Sequence, residues 1–348
     1  MSRSIYVKDQ PQVPFSRKLL HYFGKFRAVV VLILLVLVYA IFKMVPPSFF
    51  TIDNITGTLK ACAASTILVM GMLMVIKTGQ VDFSLGSAMG LGCATYFVAA
   101  KWWGWGSGSS LGLLPCVLLV IAVGCVFGLI NGLAVTYGNV PSFVGTIAVG
   151  MIESGLANSL TTSITYETQS NNSLMETGPG FELLNKICSM QFLGLSLMAW
   201  VAIIICIATG LFLNRSVHGR LVTAYGYNKE AVEHAGLRAN FYQILPFVLA
   251  SGISAFGGLL LCGTSTIATA NAGSGYEMTA IVACMIGGAN FYGGDGSVAN
   301  SYLGMLIMAL ISRTSQKYQS YIIIVLVLVL NLINHYTRKK EMDSKDKD

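Results

Sequence analysis

The stretch Leu111–Tyr137, LGLLPCVLLVIAVGCVFGLINGLAVTY, decides the fold class. No charged side chain interrupts it, and about 20 mostly apolar residues carry a helix across the hydrocarbon core of a bilayer. Within it Gly124, Gly128 and Gly132 recur every fourth residue. In lipid, helices gain little from burying apolar surface against one another, so a ridge of small residues supplies close backbone approach at a helix crossing. Composition points the same way. Apolar residues make up 54 % of the chain and charged residues 11 %, against about 25 % charged in an ordinary soluble domain. A chain so poor in charge cannot clothe a water-facing surface, so lipid must be the solvent for much of it.

Working outward from that segment gives ten candidate spans. They are Ala28–Val45, Ile55–Ile76, Ser84–Ala100, Leu111–Tyr137, Ser142–Leu160, Gly194–Leu213, Phe241–Cys262, Met278–Phe291, Ser297–Ile311 and Ser320–Ile333. The expected architecture is all-α, a polytopic transmembrane bundle of about ten helices. Lys and Arg gather in residues 1–27, in a middle segment 215–240 and in the tail 336–348. Such clusters stay on the cytoplasmic side. Both termini and the 215–240 loop are therefore expected in the cytoplasm, around a transmembrane domain spanning 28–335. The longest outer connection is a periplasmic loop at 161–193 carrying Glu167, Glu176 and Glu182. Arg313 and Lys317 fall outside in this scheme and run against it. Ala28–Val45 is too long for a signal h-region, and Pro46–Pro47 follows in place of a cleavage site, so it reads as a retained helix.

The chain has no G-x-x-x-x-G-K phosphate loop and no H-E-x-x-H, so it is not expected to hydrolyse ATP or to act as an enzyme. Its eight cysteines lack metal or redox spacing, with a Cys188–Cys262 pairing left open. The basic clusters are short and separated by apolar spans, which argues against a nucleic-acid partner. Glu153 is the acidic residue deep within an apolar span. It is open to four readings: contact with a polar solute, pairing with Lys60, a titrating coupling site, or a hydrogen-bonded carboxyl between helices. Asp82 and Ser84, in Gly79–Ser87, are placed to cap the third span. Asn228 is a candidate N-cap for a short helix holding Lys229, Glu230 and Ala231, with Gly236 as its stop. The block Gly275–Ser297 holds Gly287, Gly288, Gly293 and Gly294. Irregular backbone at membrane depth survives only where protein or a wet cavity covers it, and a plain turn between two helices is the other reading.

Three of these segments resemble the ribose-type permeases of bacterial ABC importers. Gln80–Ser87, QVDFSLGS, is similar to that family's G-G-I-D-L-S-V-G-S, with Gly86 matching. Gly219–Leu237 is similar to its loop G-R-x-x-x-A-x-G-x-N-x-E-A-A-x-x-x-G-I, and Gly275–Ser297 to its late glycine block. The resemblance covers roughly residues 54–311. It implies two permease subunits, identical or paralogous, sharing one pathway in the bacterial inner membrane. Cytoplasmic ABC ATPases carry the ATP and Mg, leaving this chain without a cofactor, and a periplasmic or lipid-anchored binding protein delivers the solute. It assigns the coupling role to Asn228, Glu230, Ala231 and Gly236, in a contact zone from Arg220 to Leu237 that includes Lys229. Sugars lead the implied solutes, with nucleosides and a furanosyl signalling molecule as further options. The fifth span departs from the family pattern: Ser154 stands where Arg is usual, with Glu153 beside it.

Ser142, Thr146 and Glu153 lie within about 40° of one another on a helix and are the candidate lining of the pathway. The rival reading is an ion-coupled secondary transporter that uses Glu153.

Overall fold

The structure, a computed structural model, describes residues 51–101, 112–168, 179–264 and 270–312. Its helices are α1 (Ile52–Ile76), α2 (Leu85–Lys101), α3 (Leu113–Thr136), α4 (Ser142–Thr168), α5 (Pro179–Ser189) and α6 (Leu197–Arg215). They continue as α7 (Val217–Tyr227), α8 (Lys229–His234), α9 (Ala239–Thr264), α10 (Tyr276–Ile286) and α11 (Val298–Ser312). A two-stranded antiparallel hairpin, β1 (Gln191–Phe192) and β2 (Leu195–Ser196), turns through Leu193 and Gly194, both at positive φ.

Two long helices organise the bundle. From Cys62 to Ile76 α1 is mostly apolar all round and is buried continuously, as a helical stretch without a polar face must be when neighbours surround it. α9 lies against α1, α2 and α3. The glycine ridge of α3 makes its contact: a side chain at Gly124 would meet the Ser251 carbonyl at 2.6 Å, and one at Gly132 would meet Ile244 at 2.8 Å. Gly128 sits directly on the Phe247 carbonyl. Close approach here places each small residue over backbone that cannot move aside.

The outer surface shows what the bundle faces. On α3 only a narrow stripe is covered, from Cys116 through Val120, Gly124 and Gly128 to Val135, while Leu114, Leu118, Val126, Leu129 and Leu133 are exposed. α4 likewise exposes Val144, Ile147, Met151 and Ile152. Apolar residues on the uncovered side of long helices fit lipid and not water. Five helices are long and apolar enough to cross a membrane: α1, α3, α4, α6 and α9. The described residues thus form a polytopic helical membrane protein.

Eight of the ten expected spans fall on described helices, and Ala28–Val45 and Ser320–Ile333 lie outside the described residues, as do segments 1–27 and 336–348. Three differences stand out. The 161–193 connection is not simply a loop. α4 continues to Thr168, and α5 buries Leu184 and Cys188 on one face, while Asn185 donates to the Gly263 carbonyl at 3.0 Å near the end of α9. Polar composition hid α5 from a scan for long apolar runs. Second, the 215–240 segment holds two helices, because Ser216 caps α7 by accepting from the Gly219 amide at 2.9 Å. Third, Met278–Phe291 is no single span: α10 has 11 residues, about 16 Å of rise against a hydrocarbon core of about 30 Å. Cys188 and Cys262 are both buried free thiols.

Candidate functional site: a docking surface, a clasp and a cavity

At one end of the bundle, α7 and α8 form a small structure of their own. Val222, Tyr225 and Val232 are buried together with Ala239 and Tyr242 from the start of α9. Six turn-scale helical residues would be marginal alone, and this apolar cluster holds α8 in place. Asn228 ends α7 by donating its amide to the Ala224 carbonyl at 3.0 Å. It starts α8 by accepting from the Ala231 amide through Oδ1 at 2.9 Å. Gly236 adopts φ +74, the left-handed turn after the helix. Arg220, Asn228, Lys229, Glu230, Ala231 and Gly236 are all exposed. Lys229 pairs with Glu233 at 3.8 Å, both half-exposed, a contact worth little by itself. A surface cleft of about 510 Å³ adjoins α8, lined by Tyr137, Glu233, Leu237, Arg238 and the first turns of α9.

Behind that surface, three chain segments meet. Lys77, which follows α1, donates from Nζ to the carbonyls of Gly294 at 3.0 Å and Gly296 at 3.1 Å. Burial pushes its ammonium below the usual lysine range, and the nearby Asp295 carboxylate opposes that shift. Gly294 returns a bond from its amide to the Lys77 carbonyl at 2.9 Å. Tyr227, the last residue of α7, donates its hydroxyl to Asp295 at 2.6 Å. Gly287 ends α10 against Asn300 and Ser301, and Gly288, Gly293 and Gly294 take positive φ in the loop that follows.

Between α1, α10 and α11 lies a half-open cavity of about 330 Å³, with Ala61, Ser274, Gly275 and Ser312 exposed at its mouth. Its walls are Thr58, Ala61, Cys62 and Ser65 of α1, Ser274–Tyr276 and Thr279 at the start of α10, and Met305, Met308, Ala309 and Ser312 of α11. None of these carries a charge; six of them bear hydroxyls, and Met305 and Met308 supply the larger apolar surface. Ser65 is about 18 Å of helix rise from Lys77. α10 therefore begins inside the bundle, where Gly273 and Glu277 crowd Gly86 in the first turn of α2. Sequence reasoning missed this cavity, because its hydroxyls come from three segments far apart in the chain.

The expected lining group, Ser142, Thr146 and Glu153, does share one face of α4, and that face is turned to α2 and the connection before it. The Ser142 hydroxyl accepts from the Val81 amide at 3.3 Å, and that of Thr146 from the Phe83 amide at 3.0 Å. Thr146 and Glu153 have no exposed surface. Ser154 donates to the Ser87 hydroxyl at 3.0 Å. Asp82, also fully buried, accepts from the Ser84 amide and hydroxyl, and Asn131 donates to that same hydroxyl at 2.8 Å. Burial pushes the Asp82 carboxyl up to about 6, against the pull of the Ser84 bonds. Among the described residues, one oxygen of Asp82, Oδ1 of Asn131 and both oxygens of Glu153 lack a hydrogen-bond partner, and Glu153 makes no ion pair with Lys60. Among the described residues no group of three or more His, Cys, Asp or Glu is placed to hold a metal.

A polytopic bundle with an uncharged, half-open cavity and a polar helical appendage at one end fits the permease class of membrane proteins. The chain belongs to the family described as "Branched-chain amino acid transport system / permease component", which matches residues 54–334. Among its relatives is the ribose import permease protein of Escherichia coli strain K12, 28 % identical over 312 residues, 87 % of this chain and 92 % of that one. The galactose/methyl galactoside import permease protein of the same strain is 27 % identical over 323 residues, 88 % and 94 % of the two chains. The autoinducer 2 import system permease protein of Photorhabdus luminescens is 26 % identical over 286 residues, 82 % and 81 %. No solved structure matches the chain.

Proposed function

We propose that this chain is the membrane subunit of an ABC importer for a small, uncharged, hydroxyl-rich solute, with a sugar or sugar-like molecule as the leading class. The observation that carries the proposal is the cavity between α1, α10 and α11. Its volume of about 330 Å³ falls within the range of small-molecule sites, about 300–1,000 Å³. Its lining offers hydroxyls without charge, which suits a polyol and gives an amino acid's ammonium and carboxylate no partner. The names of the ribose, galactose and autoinducer 2 relatives support the same class of solute.

In this reading the chain makes ten crossings of the bacterial inner membrane with both termini in the cytoplasm, and α10 together with the segment before it completes one crossing. The 215–240 segment faces the cytoplasm. There Arg220, Asn228, Lys229, Glu230, Ala231 and Gly236 meet a separate ATPase that carries ATP and Mg. A second permease subunit completes the pathway, and a periplasmic or lipid-anchored binding protein loads it. Ser142, Thr146 and Glu153 line the pathway in a second state, in which α4 parts from α2.

The test is uptake by the assembled complex in proteoliposomes. Ser65→Leu, which fills the cavity with an apolar side chain, should lower ATP-driven uptake by about tenfold or more while the ATPase still co-purifies. Undiminished uptake in that variant would sink the assignment of the cavity.

A further inference from the structure

The cavity and the proposed docking surface do not touch, so a physical link between them is needed. α7 and α8 meet the bundle in three places among the described residues. Gly219 sits on the Phe212 backbone of α6, and the cluster around Val222, Tyr225 and Val232 rests on the start of α9. Neither α6 nor α9 lines the cavity. The third contact differs. Gly226 and Tyr227 sit on Lys77 at the end of α1 and on the loop joining α10 to α11, so they touch the far ends of all three helices that line the cavity.

The clearances there leave no slack. A side chain at Gly226 would strike the Lys77 carbonyl and come within 2.6 Å of the Gly294 amide. One at Gly293 would meet the Gly226 carbonyl at 2.6 Å and the Gly79 amide at 2.9 Å, and Gly294 lies against the Tyr227 ring. The loop is braced from within as well. Asn290 donates its amide to the Asp295 carbonyl at 3.2 Å and its side chain to the Gly293 carbonyl at 3.1 Å. Densely packed interiors transmit a displacement instead of absorbing it. With Gly293 and Gly294 buried and the loop tied on both sides by hydrogen bonds of 2.6–3.1 Å, the segment should move as one piece.

We infer that Tyr227, Asp295 and Lys77 form a clasp that carries movement of the α7–α8 segment to α1, α10 and α11, making them positioning residues for solute passage. This rests on the reading of α7–α8 as the ATPase contact. The Tyr227–Asp295 bond fastens α7 to the loop, and the Lys77 bonds fasten the loop to α1. Cutting either should let the ATPase turn over without moving the cavity walls.

The experiment measures solute uptake and ATP hydrolysis in one preparation of the assembled, reconstituted complex. Tyr227→Phe removes a single oxygen, and Asp295→Ala removes the acceptor; each should lower solute moved per ATP by about fivefold or more, with co-purification of the ATPase unchanged. Asp295→Asn keeps a carbonyl acceptor and should retain most of the coupling; a loss equal to that of Asp295→Ala would overturn the Tyr227–Asp295 bond as the fastening. Lys77→Met tests the second fastening and should also uncouple. A coupling ratio equal to the wild type in Tyr227→Phe and Lys77→Met overturns the clasp while leaving the transport reading intact. A wild-type complex whose uptake ignores ATP overturns both.

Discussion

Asp82 shows how one side chain both shapes and strains this fold. Its Oδ1 orders the start of α2 by accepting two bonds from Ser84, yet the carboxylate is fully buried with its other oxygen unpartnered. A rise from 3.8 to about 6 corresponds to about 3 kcal/mol favouring the protonated form in the folded state. The folded chain thus holds a proton more tightly than the unfolded one. The penalty for the charge is complete above pH 6 and is relieved as pH falls from 6 towards 3.8. Asp82→Asn keeps the acceptor and removes the charge. It should raise the melting temperature in detergent at pH 7.5, with the gap to wild type narrowing steadily at pH 5; a gap independent of pH would refute this account. Glu153 raises the same physical question more sharply, since neither of its oxygens is satisfied and a bare buried charge costs several kcal/mol.

Among the elements, α3 and α9 carry the most exacting contact. Gly128→Val would drive its Cβ into the Phe247 carbonyl, where backbone cannot yield. Overpacking of this kind costs about 1–3 kcal/mol, so the variant should melt measurably below wild type. Gly155, with open space around its absent Cβ, is the control: Gly155→Ala should be neutral or slightly stabilising, by up to about 1 kcal/mol. The spacing of Gly124, Gly128 and Gly132 was legible in the sequence as a packing ridge. Its partner helix was not, because spacing within one helix says nothing about which of several apolar neighbours lies across it.

For the molecule as a whole, the decisive property is where the energy enters. The chain has no nucleotide-binding loop, and its exposed polar helices are separate from the cavity. Reconstituted alone, it should be unable to concentrate a solute, with or without a proton gradient. Uphill uptake abolished by an uncoupler and lost in Glu153→Gln would instead establish the ion-coupled carrier. The same separation of parts explains the uneven legibility of the site. The exposed α7–α8 segment is contiguous, so Asn228 and Gly236 could be read as cap and stop from local chemistry. The cavity draws on Thr58, Ser274 and Ser312, and the clasp on Lys77, Tyr227 and Asp295. No local pattern joins such residues.

The sequence by itself determined the class of solvent, the helical character and the order of the long spans, because each depends on hydrophobic runs longer than a bilayer is thick. It also carried the family, through three short motifs. The tertiary structure alone decided that α10 has only 11 residues, that Ser142 and Thr146 bind the backbone before α2, and that α1, α10 and α11 line one half-open cavity. These depend on which backbones can approach within a few ångströms, a property of paired surfaces that no single segment encodes.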